Sequence, residues 1–251
     1  MKKFTNCGVK VLYIILLIIV LYVPNVVVAA SAKSIPVLVY HRVGDTADAL
    51  TVKPEKLRGD LINLKNNGYQ TISLKVFEEY MSGKDVELPD KPILVTFDDS
   101  YQDNYENAFP ILKENQCVAT FFVITWLVDR NQDRLTSAEI KAMAAAGMSF
   151  GSHTVSHTVL VDKPDFWVQN ELAYSKQFLE ELLGTPICSV AYPEGKFNAN
   201  TIKIAIEQGY STGFTVEPGK STRQTAPFKV CRIPVFSYTL DVVKAINNAP
   251  D

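Results

Sequence analysis

Eight short apolar runs recur after residue 33, separated by polar and turn-forming stretches. They are IPVLVYH (35–41), QTISL (70–74), ILVTFD (93–98), ATFFVIT (119–125), MSFGSH (148–153), SVAYP (189–193), STGFTV (211–216) and CRIPV (231–235). Most are apolar at consecutive rather than alternate positions, the pattern of strands buried on both faces. Helical spacing fills the intervals. PEKLRGDLINLKNNG sets Leu57, Leu61 and Leu64 on one face, with Pro54 early and Gly68 as a stop. TSAEIKAMAAAG opens on Thr136 with Glu139 three residues later, a capping box, and closes at Gly147. DFWVQNELAYSKQFLEELLG and NANTIKIAIEQG also end on glycine. Such repetition predicts an α/β fold with a parallel sheet and right-handed crossovers. Seven or eight units in roughly 220 residues predict a closed barrel, one domain, rather than an open sheet. The glycine-rich fingerprint of a dinucleotide-binding fold is absent.

The first 32 residues follow a different pattern. Lys2, Lys3 and Lys10 precede VLYIILLIIVLYV, Pro24 breaks the run, and VVVAASA supplies small residues. Basic, apolar, small is the order of a secretory signal, with cleavage expected after Ala30 or Ala32. Uncleaved, Val11 to Ala30 is long enough to anchor the chain in a bilayer, which takes about 20 residues. Residues 1–32 are therefore expected to be a signal peptide or membrane anchor, and 33–251 the working domain. Either way the domain is expected to be secreted or at the cell surface, touching a membrane only through that segment. The chain carries 25 basic and 27 acidic residues, and its first 32 hold three lysines and no acid. The mildly acidic remainder argues against a nucleic-acid partner, which needs a basic patch. Of four cysteines, Cys7 falls in the targeting segment. Cys117, Cys188 and Cys231 are too far apart for a metal motif and read as small buried residues or as one disulfide and a free thiol.

In a parallel barrel, chemistry collects at the carboxyl ends of the strands. Four polar clusters fall there: His41; Asp98 and Asp99; His153 and His157; and Tyr192, Pro193 and Glu194. They include every histidine in the chain. Adjacent carboxylates at the end of an apolar strand repel and lose hydration, costs that a cation relieves. Strand neighbours face opposite sides, so one acid can hold metal while the other acts as a base. The pair could equally start a loop or cap a helix. Spacing of four places two imidazoles on one side of a helical turn, a geometry suited to zinc. The metalloprotease HExxH signature is missing, because Thr154 stands where its Glu would be. Asp–His–His leaves coordination positions open for water and substrate. His41 reads either as a buried histidine bonded to backbone or as a general acid. Tyr192 and Arg232 could be packing, surface or site residues.

These motifs resemble those of the polysaccharide deacetylases, carbohydrate esterase family four, with its NodB homology domain. TFDDS (96–100) is similar to the family's first motif, SHTVSH (152–157) to its second and AYPEGKFN (191–198) to its third, over roughly residues 34–236. The resemblance implies a distorted (β/α)7-type barrel, a divalent metal, zinc foremost, and removal of acetyl groups from N-acetylated sugars. It implies Asp98 as general base and Asp99, His153 and His157 as metal ligands. Two departures from the family pattern stand out, and the first is similar to the pattern of the subgroup acting on poly-N-acetylglucosamine of bacterial surfaces. With no histidine after 157, the acid falls to His41. Val190, Ala191 and Tyr192 stand where an arginine usually tunes the catalytic Asp, so Arg232 is the substitute candidate. Glu194 replaces the usual Tyr and leaves a backbone N–H as its contribution; Tyr192 and Pro193 are candidate substrate-binding or tuning neighbours. An N-acetylated polysaccharide is the implied partner. Peptidoglycan, chitin and xylan esters are rival substrates, and a non-catalytic surface glycan-binding module is the rival from another class.

Overall fold

The apolar runs form strands and the spaced segments form helices in a computed structural model, which describes residues 33–250. The signal-or-anchor expectation lies outside the described residues. In chain order the strands are β1 (Ile35–Tyr40), β2 (Arg42–Val43), β3 (Thr51–Val52), β4 (Tyr69–Thr71), β5 (Lys91–Phe97), β6 (Thr120–Val123), β7 (Ser149–Ser152), β8 (Ser189–Ala191), β9 (Thr212–Phe214), β10 (Lys220–Ser221) and β11 (Ile233–Pro234). The helices are α1 (Pro54–Asn66), α2 (Leu74–Met81), α3 (Phe109–Glu114), α4 (Ser137–Ala145), α5 (Asp165–Leu183), α6 (Ala199–Glu207) and α7 (Val242–Asn248). Strands β1, β5, β6, β7, β8 and β9 pair in parallel in that order. The seventh stave is short and irregular. Its start at Val230 bridges Phe214 of β9, and its end, β11, pairs in parallel with β1. The sheet thus curls into the expected seven-stave α/β barrel.

Period-two alternation divides the core into two layers. Ile35, Val37, Leu94, Phe122, Ala191 and Phe214 point to one side of the sheet and pack against Leu74, Phe77 and Met81 of α2. Their strand neighbours Leu38, Tyr40, Val95, Phe97, Phe121, Val123 and Val190 join the larger cluster beneath the outer helices. Ring contacts tie that outer layer across four strands: Tyr40–Phe97 stacked at 5.3 Å, Phe97–Phe121 stacked at 4.9 Å and Phe121–Phe150 tilted at 5.8 Å.

Helix ends follow the sequence chemistry. Thr136 and Glu139 form the capping box of α4, and Gly184 at φ 67° ends α5. Helices α2 and α7 were not foreseen. The run expected as a strand to residue 74 stops at Thr71, because the Ser73 side chain accepts from the Val76 N–H and starts α2. Helices α3 and α7 are short, and burial against the barrel stabilises them more than local pattern does. Cys117, Cys188 and Cys231 are free thiols and only half-buried, not fully buried as expected. No helix among the described residues is long and apolar enough to cross a membrane.

Candidate active site

The inner row of β5 runs Leu94, Thr96 and, one step past the strand, Asp98. Alternation therefore carries the Asp98 carboxylate towards the barrel interior, where it is 2 % exposed. Arg232, fully buried in the closing stave, meets it with both prongs. Nη1 donates to Oδ1 at 2.8 Å and Nη2 to Oδ2 at 2.7 Å. The guanidinium also donates from Nε to the Thr215 carbonyl at 2.7 Å. This is the bidentate geometry in which arginine recognises a carboxylate most strongly. Burial alone would push the Asp98 carboxyl up, but the charges of Arg232, His153 and His41 outweigh it and hold the carboxyl below its usual range.

Asp99 and Ser100 leave the strand with φ of 71° and 52°, a left-handed pair that breaks the alternation. Asp99 Oδ1 consequently lies 3.4 Å from His153 Nε2 and 3.4 Å from His157 Nε2. The three ligand atoms all fall within 4.8 Å of one another. The His153–His157 loop is not the helical turn that the spacing suggested. His153 continues from β7, and left-handed residues Thr154 (φ 66°) and His157 (φ 60°) fold the chain back. Backbone reversal, rather than helical pitch, brings the imidazoles to 4.8 Å between centroids.

A divalent cation fits these residues. Asp99 Oδ1 is buried and has no hydrogen-bond partner, a cost that needs compensation. His153 Nδ1 donates to the Ala191 carbonyl at 2.8 Å, because a carbonyl can only accept, and this leaves Nε2 with a free lone pair. Two imidazoles and a carboxylate are a donor set that zinc takes.

His41 follows β1, and the Asn104 amide donates to its carbonyl at 2.8 Å. Burial first, then the charges of Arg232 and His153, push its imidazole down against the upward pull of Asp98 and Asp99. The same two carboxylates act on His153, so His41 lies within range of the site's charges.

The third motif is brought to the site mostly as backbone. Tyr192, expected as a substrate-binding or tuning residue, packs in the outer layer instead. Its ring is fully buried and stacks on Phe197 at 5.1 Å, and its hydroxyl donates to the Phe228 carbonyl. It lies one alternation step from the inner Ala191. Buried Pro193 opens a single tight turn, Pro193–Gly195. Glu194 within it adopts φ 54°, pairs with Lys196, and its charge reaches His157. The N–H of Glu194 sits in the first turn, where such groups are left free of helix bonds. Gly195 is required. At φ 68° an added Cβ would stand 2.3 Å from Val216 Cγ2 and 2.7 Å from the Val216 nitrogen. Gly195→Ala is expected to lower stability by about 1–3 kcal/mol, read as a fall of several degrees in Tm by thermal unfolding.

The polysaccharide deacetylase family model matches residues 85–213, about half the chain. YxkH of Bacillus subtilis, a relative named for the same family, is 33% identical over 201 residues, covering 80% of this chain and 71% of its own. The chain belongs to the polysaccharide deacetylase family. Its structure superposes on the Streptococcus pyogenes deacetylase PplD, solved in complex with acetate, with a TM-score of 0.78 at 30% identity, covering 83% of this chain and 95% of PplD. The poly-β-1,6-N-acetyl-D-glucosamine N-deacetylase of Staphylococcus aureus is 27% identical over 183 residues, 68% of this chain and 62% of that enzyme. The chain is thus a polysaccharide deacetylase, an enzyme. His41 and Arg232 both lie outside the residues that the family model matches.

Proposed function

We propose that this polysaccharide deacetylase uses a divalent metal, zinc by its donor set, to remove N-acetyl groups from a GlcNAc-containing polysaccharide outside the cytoplasm. One observation carries the metal reading: a buried carboxylate oxygen with no hydrogen bond stands 3.4 Å from two imidazole nitrogens. Asp99, His153 and His157 would hold the ion, which when bound polarises the acetamide oxygen and makes a nearby water easier to deprotonate.

The remaining chemistry belongs to this chain's own residues. Asp98 Oδ2, 4.0 Å from His153 Nε2, accepts the proton of the attacking water. Arg232 keeps that carboxylate ionised and aimed, at some cost in basicity. The Glu194 N–H donates to the developing oxyanion. His41, drawn to a solvent proton by Asp98 and Asp99, passes that proton to the leaving nitrogen, and the proton taken up by Asp98 returns to solvent as the site resets. The C–N bond breaks, acetate leaves with the new C–O bond, and the sugar keeps a free amine.

The S. aureus relative, named for a β-1,6-linked GlcNAc polymer, supports the substrate class. The secretory pattern of residues 1–32 supports action outside the cytoplasm. Exposed aromatic rings beyond the strand ends support a polymer over a single sugar. Trp126 follows β6, and Tyr238, stacked on Phe236, follows β11. Strand order places them on opposite sides of β5 and its carboxylates. A panel of β-1,6-linked GlcNAc oligomers, chitin oligomers, peptidoglycan fragments and acetylxylan tests the reading. The β-1,6 oligomers should release acetate, a chelator should stop release, and added zinc should restore it. Full activity in demonstrably metal-free protein would sink the metal; release from acetylxylan alone would sink the N-acetyl substrate.

A further inference from the structure

His153 and His157 are held differently, and the difference picks out a buried acid that the mechanism leaves unused. The His153 ring is aimed by its bond to the Ala191 carbonyl. Among the described residues no such bond aims the ring of His157, whose side chain is one-third exposed. Its position rests on the backbone of its own loop, and that backbone is unfavourable. Thr154 and His157 both occupy the left-handed region without being glycine, at a cost on the order of 1 kcal/mol each. Strained backbone persists only where its surroundings over-determine it.

One restraint is local: Thr154 Oγ1 accepts from the His157 N–H at 3.1 Å. The other comes from α5. Glu171 is 6 % exposed, and among the described residues no basic side chain pairs with it. Both its oxygens are engaged by the residue before His157. Oε2 accepts from the Ser156 N–H at 2.8 Å and Oε1 from the Ser156 hydroxyl at 2.7 Å. One turn along the same helix, the Ser175 and Ser152 hydroxyls are bonded at 2.7 Å, and Ser152 Oγ accepts from the Thr154 N–H at 3.0 Å. Helix α5 therefore grips the loop at its start and near its end. A carboxylate buried without a counter-ion is costly unless its hydrogen bonds are good. Here they are spent on one loop backbone.

We propose that Glu171 is the positioning residue of the His157 ligand: it fixes the backbone at Ser156, so that His157 Nε2 stays within reach of Asp99 Oδ1. This rests on the metal reading of the site. The test is zinc affinity of the full chain, by competition with a chromophoric chelator, for wild type, Glu171→Ala, Glu171→Gln and Ser156→Ala, with thermal melts of the zinc-free proteins. Glu171→Ala should bind zinc about 10–100-fold more weakly, the usual effect of losing an outer hydrogen-bond partner of a metal ligand. Saturating zinc should restore most of its kcat. Glu171→Gln, whose amide oxygen can still accept from the Ser156 N–H, should lose less. Ser156→Ala, at an exposed position, should weaken binding several-fold with little change in Tm. Wild-type zinc affinity in Glu171→Ala, or in Ser156→Ala if the first variant does not fold, would overturn the assignment. Failure of the wild type itself to bind zinc would instead overturn the metal reading on which it rests.

Discussion

Asp98→Asn should cut turnover by about 10³-fold or more, as loss of a member of an acid–base set does, while zinc affinity stays within a few-fold of wild type. Asparagine keeps the shape of the side chain and removes its ability to take a proton. The three candidate ligand atoms are on other residues, so the metal set survives. The same change turns an amide towards the buried Arg232 guanidinium, which then lacks its counter-charge. The variant should therefore melt earlier, and its rate must be read well below its Tm. His41→Ala should show the same split, lost turnover with retained metal, without the stability penalty, since His41 makes no buried ion pair. Near-normal acetate release from folded Asp98→Asn would remove Asp98 from the mechanism.

The second large effect is at Arg232. Arg232→Met fills similar space but leaves Asp98 buried and unpaired, and removing one partner of a buried ion pair costs about 3–5 kcal/mol. Burial is the largest single influence on the Asp98 carboxyl, and the neighbouring charges together with the Arg232 hydrogen bonds hold it down. Without Arg232, chiefly burial remains, and the carboxyl is drawn towards its protonated form, which is no base. Stability and turnover should therefore fall together. Arg232→Lys keeps the charge but cannot form two parallel bonds, so it should fall between the two in Tm and in kcat. Denaturant unfolding and acetate release on the three proteins decide the matter. Unchanged stability in Arg232→Met would mean that the pair contributes nothing net.

Much of the site was legible along the chain because strand periodicity converts directly into place. Apolar runs end where the barrel mouth is, and polar residues at those ends had to face it or leave the strand. That logic locates His41, Asp98 and His153. It fails where the backbone departs from regular geometry. The left-handed turns at Asp99, Thr154 and His157 leave no mark in a pattern of apolar and polar letters, so a helical turn was inferred where a reversal exists. It fails again for distant contacts. Arg232 was only one of several candidates until its 134-residue separation from Asp98 was closed in space. Glu171 reads as an ordinary acid on a helix. Tyr192 is a simpler case: it lies next to a motif but on the outer side of a period-two alternation.

The stave that completes the ring is the last one synthesised, and it carries the guanidinium on which Asp98 depends. A nascent chain leaving the ribosome holds both imidazoles and both acids well before residue 232 emerges. Until that final segment docks between β9 and β1, the carboxylate has no counter-charge and the pocket no wall. Hydrolytic competence is thus tied to the docking of that one segment, which bridges β9 and β1 and carries Arg232 to Asp98.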